Sequence, residues 1–179
     1  MLKSLALTIT LVAFAAVGTA YAQTTTTAPP PTDAQIAMIA VVADTVDIDA
    51  GNMAAKKTKN KMVREFARTM VRDHTAVNAQ ATALAKKLGV IPEESDISKS
   101  LKSGGDKTMA QLMTLTGSAF DKAYVDNEVG YHEAVLGVLD KTLIPNTRNA
   151  ELKSLLESAR PIFVTHLEHA KKLQASLTK

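Results

Sequence analysis

The sequence has 179 residues, of which 46% are hydrophobic and only 4% aromatic, and its formal net charge is +3. That length suits one domain with a substantial core, and an apolar content dominated by alanine, leucine, valine and methionine favours helices over sheets. The basic residues are spread along the chain, which argues against nucleic-acid binding. The absence of cysteine excludes disulfides and thiolate metal sites.

The beginning of the sequence has the pattern of an export signal. Lys3 gives a short positive start, the apolar run LALTITLVAFAAVG follows, and Ala20 and Ala22 are small residues at the expected cleavage positions. The run is shorter than the ~20 residues of a membrane span, and an uncleaved anchor is the alternative interpretation. We expect a signal peptide over residues 1–22, cleaved after Ala22, a periplasmic or secreted protein, and no transmembrane span in the mature chain.

A Thr/Pro-rich linker, residues 23–32, precedes a predicted helical domain, residues 33–179. Asp33 is predicted to cap the first helix, and Gly89 to end the second. Apolar residues at helical spacing predict four long helices. Examples are Ile36, Ile39, Ala43 and Ala50 in the first, Phe66, Met70 and Val77 in the second, Val125, Val129 and Leu136 in the third, and Leu152, Leu156, Phe163 and Ala170 in the fourth.

The segments between these helices are polar or contain helix breakers. IPEESDISKSLKSGGD predicts an irregular connection, followed by a short helix over residues 106–115. Ser118 and Asp121 have the spacing of a capping box, Pro145 marks a turn, and Pro161 predicts a kink in the last helix. The fold class is therefore all-α, a four-helix bundle with one long connection between helices 2 and 3.

Titratable side chains interrupt the apolar stripes of these helices. His74 lies four residues after Met70 and three before Val77, so it belongs to the stripe of its helix, with Asp73 beside it. The same spacing turns further residues inward: Asp47, Glu128, His132 and His166. His169 is expected at the surface, and Asp44 and Asp49 are expected to be solvated.

Buried titratable groups need partners, because an unpaired charge in a protein interior is costly. At ~1.5 Å per residue, Asp47, His74, Glu128 and His166 reach similar heights, with His132 about 12 Å from His166. Imidazole and carboxylate are ligands for transition metals, so the candidate ligands are Asp47, His74, Glu128, His132 and His166. Asp73 and Asp121 are expected to contact these ligands from outside rather than to bind the metal. The metal remains unidentified, and hydrogen bonding without a metal is the alternative.

Three stretches resemble the bacterial domain-of-unknown-function 4142 family: VREFARTMVRDHTAVN, GSAFDKAYVDNEVGYHEAVL and PIFVTHLEHAKKL. The resemblance covers about residues 33–177 and implies an exported, ferritin-like helix bundle without an established activity. The family's polar positions correspond here to Asp73, His74, Asp121, His132 and His166. Where the family typically has glutamate in the first helix, VDIDAG has Asp47, a shorter carboxylate.

The sequence predicts an envelope protein first and leaves an enzyme with a metal-dependent reaction as the third possibility. It contains no nucleophile motif, no phosphate-binding glycine loop and no Glu-x-x-His pair of the di-iron type, so no catalytic residue is assigned. The first hypothesis is a bundle with a metal-binding polar centre. The second is a structural or interaction module without metal, whose partner would be an envelope protein or a second copy of the chain.

Overall fold

The computed structural model describes residues 29–177, and this part of the chain contains helices and no strand. The predicted signal peptide and most of the predicted linker lie outside the described residues. The five long helices are α1 (Asp33–Lys57), α2 (Lys61–Leu88), α3 (Asp96–Thr114), α4 (Gly117–Val138) and α6 (Ala150–Leu177). A π-helical turn (Leu139–Leu143) and the one-turn helix α5 (Ile144–Asn146) link α4 to α6. The all-α prediction is confirmed.

The start of α1 is tied to the start of α6. Thr32 caps α1 through a capping box with Gln35, so the prediction that Asp33 is the cap was wrong. The carboxylate of Asp33 instead accepts hydrogen bonds of 2.9 Å from the backbone N–H groups of Arg148 and Asn149. Asp33 therefore stabilises the chain turn that precedes α6, more than a hundred residues away in sequence.

The segment between α1 and α2 and the end of α2 lie where the sequence predicted them. The Asn60 side chain accepts hydrogen bonds from the backbone N–H groups of Met62 and Val63, which caps α2. At the other end Gly89 has a φ of 64°, the left-handed conformation that glycine adopts without a steric penalty.

Most of the predicted irregular connection is helical, because α3 begins at Asp96, so that prediction was wrong except for residues 91–95. Ser95 caps α3 by a capping box with Ser98, and the helix then continues through Gly104 and Gly105. A side chain at Gly105 would place its Cβ only 2.8 Å from both methyl groups of Val46. Gly105 thus allows α3 to lie close against α1, whereas a side chain at Gly104 would meet open space.

The predicted capping box at the start of α4 was also wrong. The residue before α4 is Thr116, whose side chain makes no capping hydrogen bond. Asp121 instead accepts a hydrogen bond from the Thr58 hydroxyl at 2.5 Å, which fastens α4 to the end of α1. Pro161 lies inside α6, which continues on both sides of it.

A polar layer separates two hydrophobic clusters in the core. One cluster contains Phe66, Met70, Phe120, Tyr124 and Leu173, and the other contains Ile36, Ile39, Leu139, Leu156 and Phe163. α1 packs against α2 and α3, and α6 packs against α2 and α4. Because α3 is a fifth long helix, the predicted four-helix bundle is not confirmed and stays a prediction. No helix within residues 29–177 combines the length and apolar character required to cross a membrane.

Candidate metal centre

Four helices bring titratable side chains to one place in the polar layer. Ligand atoms of His74, His132 and His166 lie within 4.8 Å of one another, and so do those of Asp47, Glu128 and His132. His132 belongs to both groups and therefore joins them. α1 supplies Asp47, α2 supplies His74, α4 supplies Glu128 and His132, and α6 supplies His166. All five residues are buried.

Each of the three imidazole rings uses one nitrogen for a hydrogen bond to a neighbouring oxygen. Such a contact fixes the ring orientation and tautomer and leaves the other nitrogen available as a ligand. The contacts are His74 Nδ1 to Asp44 Oδ1 at 2.8 Å, His132 Nδ1 to the Glu128 carbonyl at 2.9 Å, and His166 Nε2 to Asp73 Oδ2 at 3.0 Å.

The remaining polar atoms of these side chains are buried without a hydrogen-bond partner among residues 29–177. They are both carboxylate oxygens of Asp47, both of Glu128, and the ring nitrogens His74 Nε2, His132 Nε2 and His166 Nδ1. Leaving a buried polar atom unsatisfied costs about 1–3 kcal/mol, and more for a charged group. Several such atoms converging on one point are the arrangement that a bound cation would satisfy.

The separations between candidate ligand atoms fit one metal ion. Asp47 Oδ2 lies 3.3 Å from His74 Nε2 and 3.6 Å from His132 Nε2. Ligands bound tetrahedrally at about 2.0–2.1 Å are roughly 3.3–3.4 Å apart. The three atoms could therefore coordinate one ion with little movement of the side chains.

The two buried carboxyl groups are electrostatically unfavourable without a cation. Burial raises the pKa of Asp47 to about 6, although the nearby His74 imidazole opposes this and Asp44 adds to it. Burial and the charge of Asp47 raise the pKa of Glu128 well above its usual value. A divalent cation between them would balance the charge of both carboxylates.

The imidazoles divide into one ring beside carboxylates and two that favour the neutral form. Burial lowers the pKa of His132 to about 3, and the neighbouring His74 contributes to this shift. Burial also lowers the pKa of His166. For His74, burial is outweighed by Asp47 and Asp44, so its pKa is raised. Neutral imidazole is the form that binds metal ions.

Most candidate residues lie where the sequence predicted, with two corrections. The expectation that Asp44 is solvated was wrong, since Asp44 is 2% exposed and bonds to His74. Its position three residues before Asp47 places both on one face of α1, which was the available signal. The estimated heights set His132 apart, whereas it lies between both ligand groups.

The residues expected around the centre differ in their roles. Asp73 contacts His166, and its carboxylate is also held by Arg72 at 2.6 Å. Asp121 bonds to Thr58 rather than to a member of the centre. His169 is exposed, as expected, with its ring edge against Phe66.

Together, the fold and the centre define an all-helical protein with a buried histidine–carboxylate cluster that could hold a metal ion. The sequence matches the family described as Domain of unknown function (DUF4142) over residues 18–173. The chain belongs to this family, and the resemblance seen in the three sequence stretches is confirmed.

The fold is similar to that of a solved copper protein, "CopM in the Cu(II)-bound form". The TM-score is 0.65 at 15% sequence identity, and the similarity covers 83% of this chain and 99% of the other. At that identity the comparison shows a common fold. A search of curated proteins finds no match to the sequence.

Proposed function

We propose that this protein is an exported envelope protein that binds one divalent transition-metal ion, Cu²⁺ in the first place, in the polar layer of its core. In this proposal α1, α2, α4 and α6 form a ferritin-like four-helix core, and α3 covers α1. The function is binding of the ion rather than catalysis. The predicted signal peptide supports export, and no membrane partner is required.

One observation carries the proposal. Unpartnered buried ligand atoms from four helices form two overlapping groups that share His132, and the imidazole rings are already oriented by hydrogen bonds on their other side. Structural histidines usually have both nitrogens satisfied or exposed, because burial of an unsatisfied polar atom is costly. The pattern of one engaged and one free nitrogen on each ring is that of metal-binding histidines.

The donor set and the charge favour a divalent ion such as Cu²⁺. Imidazole nitrogen suits copper, zinc, iron and nickel, and among divalent first-row ions Cu²⁺ binds such sites most tightly. The charges of ionised Asp47 and Glu128 sum to −2, which one divalent ion balances. The similarity in fold to CopM, which is described in its Cu(II)-bound form, supports copper as the first ion to test.

The test is elemental analysis of protein purified without an affinity tag, followed by titration with Cu²⁺ and Zn²⁺. We expect about one ion per chain and a higher melting temperature with metal, since a ligand that binds only the folded state stabilises it by about 2.7 kcal/mol at 100 times its dissociation constant. His74→Leu combined with His166→Leu should abolish both effects. His169→Leu is the matched control, because this exposed histidine lies outside the centre.

The second candidate function, a structural or interaction module, predicts the opposite result. If the polar centre serves hydrogen bonding alone, substoichiometric metal and an unchanged melting temperature are expected for the natural protein. The double leucine variant would then keep or gain stability, because apolar side chains of similar volume replace unsatisfied polar ones.

A further inference from the structure

The residues in contact with the candidate metal centre differ in their exposure to solvent. The five candidate ligands are at most 2–3% exposed, so an ion cannot reach them without crossing a layer of protein. Each imidazole contacts one oxygen atom. His74 contacts Asp44, His132 contacts the Glu128 backbone carbonyl, and His166 contacts Asp73. Asp44 and Glu128 are buried, whereas the side chain of Asp73 is 24% exposed. Asp73 therefore touches solvent and His166 at once.

Asp73 lies in an open groove between α2 and α6, which we call the α2/α6 groove. It has a volume of about 100 Å³ and is lined by Asp73, Ala76 and Gln80 of α2 and by Ser158 and Ile162 of α6, among others. A carboxylate in a groove open to water is a suitable first contact for a cation. Both of its oxygens also contact the Arg72 guanidinium, which an arriving cation would displace.

The other cavity that borders the centre does not suit a cation. It has a volume of about 40 Å³ and is lined by apolar side chains, including Val77, Leu139 and Phe163, apart from Asp44. Moving an ion from water into an apolar space without ligands is strongly unfavourable. Of these two cavities, the α2/α6 groove is the one that offers a polar path.

The groove also lies where the backbone hydrogen bonding of α6 is interrupted. Pro161, between Ser158 and Ile162, has no N–H to donate to the carbonyl of Glu157. The Thr165 hydroxyl donates to the Pro161 carbonyl at 2.9 Å, a contact that often bends helices. This part of α6 therefore separates from α2 at a lower cost than an uninterrupted helix would.

We propose that the α2/α6 groove is the route by which the metal ion enters and leaves the centre, with the Asp73 carboxylate and His166 Nε2 as an outer binding position. This inference rests on the proposed function. The two outer atoms are 3.0 Å apart, close enough to share one ion. His166 Nδ1, on another side of the same ring, is buried and unpartnered, so one side chain joins the groove to the centre.

The experiment measures metal kinetics and metal affinity separately. Ala76→Trp places a large side chain over the groove without touching a candidate ligand, since Ala76 is exposed and lines the groove. Uptake of Cu²⁺ and its transfer to a chelator, followed by stopped-flow, should both be about tenfold slower, as an added barrier of ~1.4 kcal/mol gives. The dissociation constant should stay within about twofold, because a barrier on the route acts on both rates alike.

Two comparisons keep the test decisive. Ala79→Trp, at an exposed alanine on α2 outside the groove lining, should leave both rates unchanged. Gln80→Lys should slow uptake and Gln80→Glu should accelerate it, with differences that shrink at high salt. These milder variants also serve if the tryptophan variant does not fold.

Unchanged kinetics in Ala76→Trp and both Gln80 variants, together with intact metal binding, would overturn the route and leave the proposed function standing. If the natural protein binds no metal at equilibrium, the proposed function fails, and the route fails with it.

Discussion

Replacing Asp47 by asparagine should stabilise the metal-free protein and reduce the stabilisation that a bound metal ion provides. The carboxyl group is buried and its pKa is raised from 3.8 to about 6. The folded state therefore binds this proton more tightly than the unfolded state does. The resulting stabilisation is complete below pH 3.8 and is lost as the pH rises through about 6, so at pH 7.5 the ionised group costs about 3 kcal/mol.

Asp47→Asn removes this charge with almost no change in shape. Without metal, the variant should melt about 6–12 °C higher than the natural protein at pH 7.5, and the difference should vanish near pH 4. Cu²⁺ should stabilise the variant by at least about 2.7 kcal/mol less than the natural protein, which removes most of the variant's advantage, because the variant loses a ligand and with it at least about 100-fold in affinity. Thermal unfolding followed by circular dichroism, with chelator or with Cu²⁺, measures both effects. Asp49→Asn, at an exposed position of the same helix, is the control.

A metal-free variant that is no more stable than the natural protein at pH 7.5 would refute the claim that Asp47 is a buried carboxylate without compensation. Equal stabilisation of both proteins by Cu²⁺ would refute its role as a ligand.

Three further predictions test the centre and the fold. Binding of Cu²⁺ at pH 6 should release about two protons or more, because burial raises the pKa of Asp47 and Glu128, and because Asp47 and Asp44 outweigh burial and raise the pKa of His74. Calorimetry in buffers of different ionisation enthalpy measures this, and no proton release would contradict it. Asp44→Ala should lower copper affinity about 10–100-fold, because it removes the hydrogen-bond acceptor that orients the His74 imidazole. An unchanged affinity in competition titrations would contradict this role of Asp44. Gly105→Ala should be about 1–3 kcal/mol less stable in urea unfolding than Gly104→Ala, because only the first adds a methyl group against α1; equal stability would mean that α3 lies further from α1.

The helical spacing was sufficient to predict which side chains point inward. His74, Glu128 and His166 each interrupt an apolar stripe, and a stripe identifies the buried face of a helix wherever one face is buried. α1 also contacts both α2 and α3. Asp44 was expected to be solvated, although its three-residue spacing from Asp47 places both carboxylates on the same buried face.

The errors concern contacts between residues distant in sequence. Local capping rules assigned Asp33 and Asp121 to the helices that contain them, but Asp33 binds the turn before α6 and Asp121 binds Thr58. A carboxylate near a helix start satisfies several donors equally well, and tertiary packing decides which it meets. The Gly104–Gly105 pair indicated a loop for the same reason, because the close approach of α1 to Gly105 is not visible in the local sequence.

The position of the centre also bears on how the chain comes apart. This protein has no cysteine, so no covalent bond can link its helices. An ion held by Asp47 of α1 and His166 of α6 would connect the first and last long helices and close most of the domain into a loop, as a disulfide does. Neither terminal helix could then unfold on its own before the ion dissociates. The rate of metal release would therefore govern how long the protein resists proteolysis.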